Sequence, residues 1–313
     1  MIFMNEKIIL KNFFINLLQE YSEMPPIIMC GRRFFMKKFI LFCCISAAAI
    51  FFYYTNNTTE QSQIDLSSLH SKNALLLNKN GDVLYEKDAD AIIYPASLTK
   101  IMTAIVAIEM SPDLQKQTIV EAQTISKFTA QNASMAGFKA GDFVTIEDLL
   151  YGTLLASGAD ATGTLADAIA GSEEAFVTLM NNKAHELGMD DTHFVNASGL
   201  HDDAHVSSVR DISKLFRYAM ENPTFYQILT SKSYITHVPN ELTISSSLFT
   251  KIPSGESAIL GGKTGYTPEA GLCLATIIEK HGEQYIFVTT NAAGQAWTPP
   301  LHIEDALTAF DAL

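Results

Sequence analysis

Ser97 and Lys100 stand three residues apart at the head of an apolar-periodic run, Ser97-Leu98-Thr99-Lys100. On a helix this spacing puts both side chains on one face, with the lysine in reach of the hydroxyl. Tyr94-Pro95-Ala96 comes just before, so the serine opens the helix, where backbone N–H groups lack partners and the dipole favours an anion. Such a serine attacks a carbonyl once a base takes its proton. A lysine is that base only if burial or a neighbouring cation lowers its pKa. Taken alone, the pair reads more readily as an ordinary helix cap beside a solvated lysine, because Ser-x-x-Lys recurs often by chance. A second segment narrows the choice. Lys263-Thr264-Gly265 lies in a strand-like run, after Gly261-Gly262 and before Tyr266-Thr267. Glycines there let a ligand approach the backbone closely. An ammonium beside a hydroxyl suits a carboxylate, and Lys263 is also a cation that could depress Lys100.

The elements that must bring these segments together are legible in outline. Ala74-Leu75-Leu76-Leu77 and Val83-Leu84-Tyr85 flank Asn80-Gly81, which reads as a hairpin with a two-residue turn. A helical pattern runs from Ser97 to Met110, with Ile101, Ala104, Ile105 and Ile108 on one face and Ser111-Pro112 as its stop. Further helices are expected over Ile146–Leu155, Ala161–Ala170, Glu173–Leu187 and Val209–Glu221. Strands are expected over Ser233–Val238, Glu241–Ser246, Leu272–Glu279 and Gln284–Asn291, the last two joined tightly at His281-Gly282, and a short amphipathic helix, Ile303–Leu313, closes the chain. Strands at both ends and helices between predict an α+β fold. The simplest arrangement is an antiparallel sheet built from both chain ends with a helical lobe inserted.

The set Ser-x-x-Lys, a serine-led triplet and Lys-Thr-Gly is the signature of penicillin-recognising serine enzymes. Tyr94-Pro95-Ala96-Ser97, Leu155-Ala156-Ser157-Gly158 with Asp160-Ala161, Asn196-Ala197-Ser198-Gly199-Leu200, His205-Val206-Ser207-Ser208 with Asp211, and Gly262-Lys263-Thr264-Gly265-Tyr266-Thr267 resemble the D-alanyl-D-alanine carboxypeptidases, the low-molecular-mass penicillin-binding proteins. The resemblance runs in order from about residue 70 to 313. It implies a β-lactamase/transpeptidase-like fold and a peptidoglycan pentapeptide as substrate, with β-lactams as covalent inhibitors. It further implies that Ser97 is the nucleophile, Lys100 the base and Ser157 a proton relay. Lys263 and Thr264 would hold the terminal carboxylate, and the N–H groups of Ser97 and Tyr266, beside Gly265, would form the oxyanion hole. One departure stands out: the family places asparagine where this chain has Ala159, which predicts reduced but real activity. Asp160, at a helix start, is expected to cap it.

Other chemistries fit less well. A class A β-lactamase needs a Glu-x-x-Leu-Asn segment, which is absent. Endopeptidase cleavage would use the same site, and a wall-sensing module without turnover would have only Ala159 in its favour. His201-Asp202-Asp203-Ala204-His205 follows Gly199 and reads as a loop, not a zinc helix. Cys273 reads as a core residue. No cofactor or metal is expected.

The chain carries a net charge of −13, with six Lys/Arg against three Asp/Glu in the first 54 residues. The remaining 15 against 31 give the body −16, which excludes a nucleic-acid binder. With Cys30, Cys43 and Cys44 near the N-terminus, Cys273 has no partner in the body. Residues 39–54 (FILFCCISAAAIFFYY) follow Met36-Lys37-Lys38 and read as a signal anchor or signal peptide. Ala47-Ala48-Ala49 resembles a cleavage site, but bulky residues follow it. An uncleaved anchor in the cytoplasmic membrane is therefore the preferred reading, with all that follows Tyr54 outside the cytoplasm. Many relatives anchor by a C-terminal helix, and this chain stops after its closing helix, which favours the same reading. Residues 1–35 are expected to be an upstream extension with translation starting at Met36. Residues 55–71 read as a tether, and 72–313 as the peptidase domain.

Overall fold

The computed structural model describes residues 64–313, apart from 238–240 and 254–255. The expected extension, the anchor and residues 55–63 of the tether lie outside the described residues. Among those described, no helix is long and apolar enough to cross a membrane.

The chain enters through β1 (Asn73–Asn78) and β2 (Val83–Lys87), then a 3-10 turn (Ala96–Leu98) that runs into α1 (Thr99–Met110). A lobe follows: β3 (Gln117–Ile119), α2 (Ala122–Ala130), β4 (Phe143–Thr145), α3 (Ile146–Leu154), α4 (Ala159–Ala170), α5 (Glu173–Glu186), α6 (Val209–Met220), α7 (Pro223–Leu229), and the short strands β5 (Ser233–Ile235) and β6 (Thr243–Ser245). The chain returns through β7 (Ile259–Thr267), β8 (Gly271–Lys280) and β9 (Glu283–Ala292) to α8 (Leu301–Ala312). The main sheet is antiparallel with order β2-β1-β9-β8-β7, so strands from both chain ends meet at β1 and β9, as the sequence pattern predicts.

Both faces of this sheet are covered, and side-chain alternation sorts the residues between them. Leu75, Leu77, Cys273, Ala275, Ile277, Ile286 and Val288 face the helical lobe. Leu76, Leu274, Ile278 and Phe287 face α8, through Ile303, Ala306 and Ala309. Leu66 and Leu69 join this second layer, so packing extends back into the stretch expected to be a tether. At the centre of the lobe, α1 is buried from Thr99 through Ala107, because small and aliphatic residues occupy every side of it.

The local signals account for most boundaries. Thr145 and Asp148 form a reciprocal capping box at α3, and Ser208 and Asn222 cap α6 and α7. His281 and Gly282 both have positive φ, which closes β8 and β9 with a two-residue turn. The first hairpin differs from expectation. Gly81 N–H donates to Asn78 O and Asn78 N–H to Asp82 O, with Gly81 at φ 86. The loop is therefore three residues long, a turn followed by a glycine bulge, and the Asn78 carboxamide accepts from Asn80 and Asp82 to hold it. The helices α2 and α7 and the strands β3 and β4 are additions to the expected elements.

Candidate active site

Ser97 sits in the 3-10 turn two residues ahead of α1, held by the Leu98 N–H bond to Pro95 O. Its predecessor Ala96 has φ 46, an uncommon conformation for a residue with a Cβ. The chain tolerates it because the 196–200 loop presses on the Ala96 carbonyl. Gly199 lies so close that a Cβ there would meet Ala96 O at 1.9 Å. Lys100 is 3% exposed, and its Nζ donates to Ser97 Oγ at 3.1 Å and to the Ser198 carbonyl. That carbonyl is aimed by Asn196, whose Oδ1 accepts from Ser198 and Gly199 N–H and whose Nδ2 donates to Leu200 O. Burial pushes Lys100 down to about 7. Of the two causes that the sequence allows, burial is the one that lowers it, and the Asp160 carboxylate opposes the shift.

Lys263 is fully buried in β7 and donates to Ser157 Oγ and to Thr264 O, each at 2.8 Å. Burial, with Lys100 and Lys251 nearby, holds it well below an ordinary lysine. Ser157 is 7% exposed with φ 59, in the tight bend that leads into α4. Gly158 completes that bend where a Cβ would lie 2.6 Å from the Ala136 backbone nitrogen. Thr264 Oγ1 pairs with Ser247 Oγ at 3.2 Å. Gly265 lies against the head of α1: a Cβ at Gly265 would come 3.1 Å from Ser97 N. Thus Ser97, Lys100, Ser157, Lys263, Thr264, Gly265 and Tyr266 converge from a turn, a helix, a bend and an edge strand.

A cleft of about 460 Å³ opens over Ser97 and Lys100, walled by Gln131 to Ser134, Ala159, Leu200 and Tyr266, with Trp297 at its rim. Ala159 faces this cleft, in the place of the family asparagine, while its N–H donates to Ser134 O at 2.7 Å. Asp160 does not cap α4. Its carboxylate is buried and accepts from the backbone N–H groups of Ala136, Gly137 and Phe138, so it fastens the loop behind the cleft wall. Three residues beyond the expected set thus shape the site: Asn196, the Ser198 carbonyl and Asp160. Asn196 and Ser198 lie in a recognised segment, but a backbone acceptor leaves no mark in a sequence.

His205 accepts from Val195 N–H on Nδ1, which leaves Nε2 to donate to Thr99 Oγ1 at 2.8 Å. Burial pushes this histidine down to about 4, and it braces the head of α1 as a neutral ring. His201 instead lies at the cleft, edge-on to Tyr94. Cys273 is buried, and burial pushes its thiol up to about 12.

Residues 56–294 match the D-alanyl-D-alanine carboxypeptidase family of peptidases. The chain belongs to that family. Among relatives, the D-alanyl-D-alanine carboxypeptidase of Streptomyces sp. strain K15 is 34% identical over 67% of this chain and 76% of its own length. D-alanyl-D-alanine carboxypeptidase DacF of Bacillus subtilis is 31% identical over 71% of this chain, which spans 58% of that longer protein. The crystal structure of the Streptomyces K15 DD-transpeptidase superposes with a TM-score of 0.71 at 30% identity, covering 78% of this chain and 97% of that one. The carboxypeptidase family and the β-lactamase/transpeptidase-like fold, both expected from the motifs, are thus those of this chain.

Proposed function

We propose that this chain is a serine-type D-Ala-D-Ala carboxypeptidase that removes the terminal D-alanine from peptidoglycan pentapeptides. The observation that carries the reading is Lys100: buried, with its pKa near 7, and 3.1 Å from Ser97 Oγ. Neutral Lys100 takes the Ser97 proton as Oγ attacks the carbonyl between the two D-alanines. The N–H groups of Ser97 and Tyr266 receive the oxyanion. Ser157, held by Lys263, passes its proton to the departing amine and takes in return the one that Lys100 gained, so the C–N bond breaks, D-alanine leaves and Lys100 is neutral again. Water then adds to the ester, gives up its proton through the same lysine, and releases the shortened peptide and Ser97. Thr264, backed by Ser247, receives the terminal carboxylate, with the Lys263 Nζ behind it. A β-lactam opens on Ser97 in the same way but keeps its amine tethered, so the acyl-enzyme persists.

The enzyme would work outside the cytoplasm, held to the membrane by residues 39–54. A fluorescent penicillin should label the protein covalently, and Ser97→Ala should abolish the label. Release of D-alanine from a pentapeptide completes the test. Labelling without release would leave a wall-sensing module, and no labelling would reject the serine mechanism altogether.

A further inference from the structure

Ala197 stands one residue before the carbonyl that Lys100 uses, and both of its own backbone groups are held from outside the loop. Thr103 Oγ1 on α1 donates to the Ala197 carbonyl at 2.6 Å. Glu173 Oε1 accepts from the Ala197 N–H at 3.0 Å. Ala197 is fully buried, so that N–H depends on the carboxylate. Glu173 opens α5, where the Ser172 cap accepts from Ala175 N–H and a helix start favours negative charge. Lys127 on α2 pairs with Glu173 Oε2, so both carboxylate oxygens are engaged.

We infer that Glu173 is a positioning residue for the reaction: through the Ala197 N–H it fixes the Ser198 carbonyl against Lys100. The inference rests on Lys100 being the base, as proposed above. Without Glu173 a buried donor is left unpaired, and the loop must shift until water reaches it. A cavity of about 260 Å³, lined by Lys127, Glu173, Asn196, Ser198 and Leu200, gives solvent its way in. A shifted Ser198 carbonyl opens Lys100 Nζ to water, which relieves the burial that depresses this lysine. Asp160 on α4, Lys263 on β7 and His205 ahead of α6 also face Lys100 and stay in place. Asp167 on α4 faces Glu173, and burial with the Glu173 and Glu174 charges pushes it up. Removing Glu173 therefore lowers Asp167, away from the pH range in which Lys100 titrates.

Penicillin acylation of the full-length protein is followed by stopped flow across pH. The unmodified protein should show a limb near 7. In Glu173→Ala the limb should move up by about one pH unit, which is about a tenfold slower rate on the acid side. Well above both limbs the two rates should converge, which damage to the site as a whole does not produce. Glu173→Gln keeps a carbonyl for Ala197 and loses the charge pair with Lys127. It should return the limb to near 7, because exposed Lys127 can turn to water and the buried N–H cannot. If Glu173→Ala does not fold, Glu173→Asp, one methylene short of Ala197, is judged by the same outcomes. A limb that stays near 7, a rate lowered equally at every pH, or a glutamine variant as impaired as alanine overturns the role. Acylation with an unmoved limb defeats the positioning role alone, whereas no acylation of the unmodified protein defeats the peptidase reading and this inference with it.

Discussion

Lys100 is dry, and on the proposed mechanism that is what would let it act as a base. Burial takes its pKa to about 7, so below that pH it is protonated and cannot accept the Ser97 proton. The rate of penicillin acylation should therefore rise with pH through a limb centred near 7, falling about tenfold per unit on the acid side. His205, held near 4 and neutral, does not contribute to this limb. Lys100→Arg keeps a cation in place but cannot deprotonate, so acylation should drop by about 10²–10⁴-fold and lose the limb. Stopped-flow acylation across pH checks both. Ala159 offers the opposite test. It faces the cleft beside Ser97 and Lys100 with a methyl where the family has a carboxamide. A polar partner at such a position is worth about 1–3 kcal/mol, so Ala159→Asn should raise acylation by roughly ten- to a hundredfold. An unchanged rate would mean that the asparagine has no task in this chain.

The pieces that hold these side chains are less legible than the side chains themselves. Ser97 and Lys100 are readable because helical spacing is a property of the sequence, and the antiparallel strands because alternation and turns are too. The burial that sets Lys100 is not, since it comes from the loop that closes over α1. Asp160 misleads for a physical reason: a carboxylate in the first turn of a helix is what a cap looks like, and its true partners lie in a loop 22 to 24 residues earlier. The helix α2 buries only Thr124 and Phe128, one turn apart, so its apolar signal is faint. By contrast α7 carried its signal in Asn222-Pro223, a cap followed by proline in the first turn, and only its length of seven residues hid it. Gly199 tests the loop as a unit. With φ 79 and Ala96 O in the way, Gly199→Ala must move either the loop or the turn that carries Ser97. It should cost about 1–3 kcal/mol in backbone strain and cut penicillin labelling by more than the loss of folded protein. Labelling per folded molecule equal to the unmodified protein would show that the loop does not hold Ser97.

At the scale of the whole molecule, the sheet joins strands more than 200 residues apart, Asn73 pairing with Thr290, and one layer of helix covers its outer face. That layer depends on the segment leading into β1. Leu66 and Leu69 are buried with Ile303, Ala306 and Ala309. Asp305, 1% exposed, accepts from His70 N–H, Ser71 N–H and Ser71 Oγ at 2.7, 2.8 and 2.5 Å. The sequence shows Thr, Asn, Gln and Ser in residues 55–71 and suggests a solvated tether, because two leucines among polar residues carry little periodicity. Their partners are on the last helix of the chain. A protein beginning at Lys72 would therefore lose the burial of two leucines, about 1.5–3 kcal/mol each. It would also leave a buried carboxylate without its donors, at about 1–3 kcal/mol or more. A protein beginning at Ile64 keeps all of these contacts. Urea unfolding of the two should place the midpoint of the shorter one lower by several kcal/mol of stability, with penicillin labelling of the folded fraction preserved, because Ser97 lies on the other face of the sheet. Equal midpoints would show that the strap from Leu66 to Ser71 contributes nothing to the fold, and that α8 seals the outer face unaided.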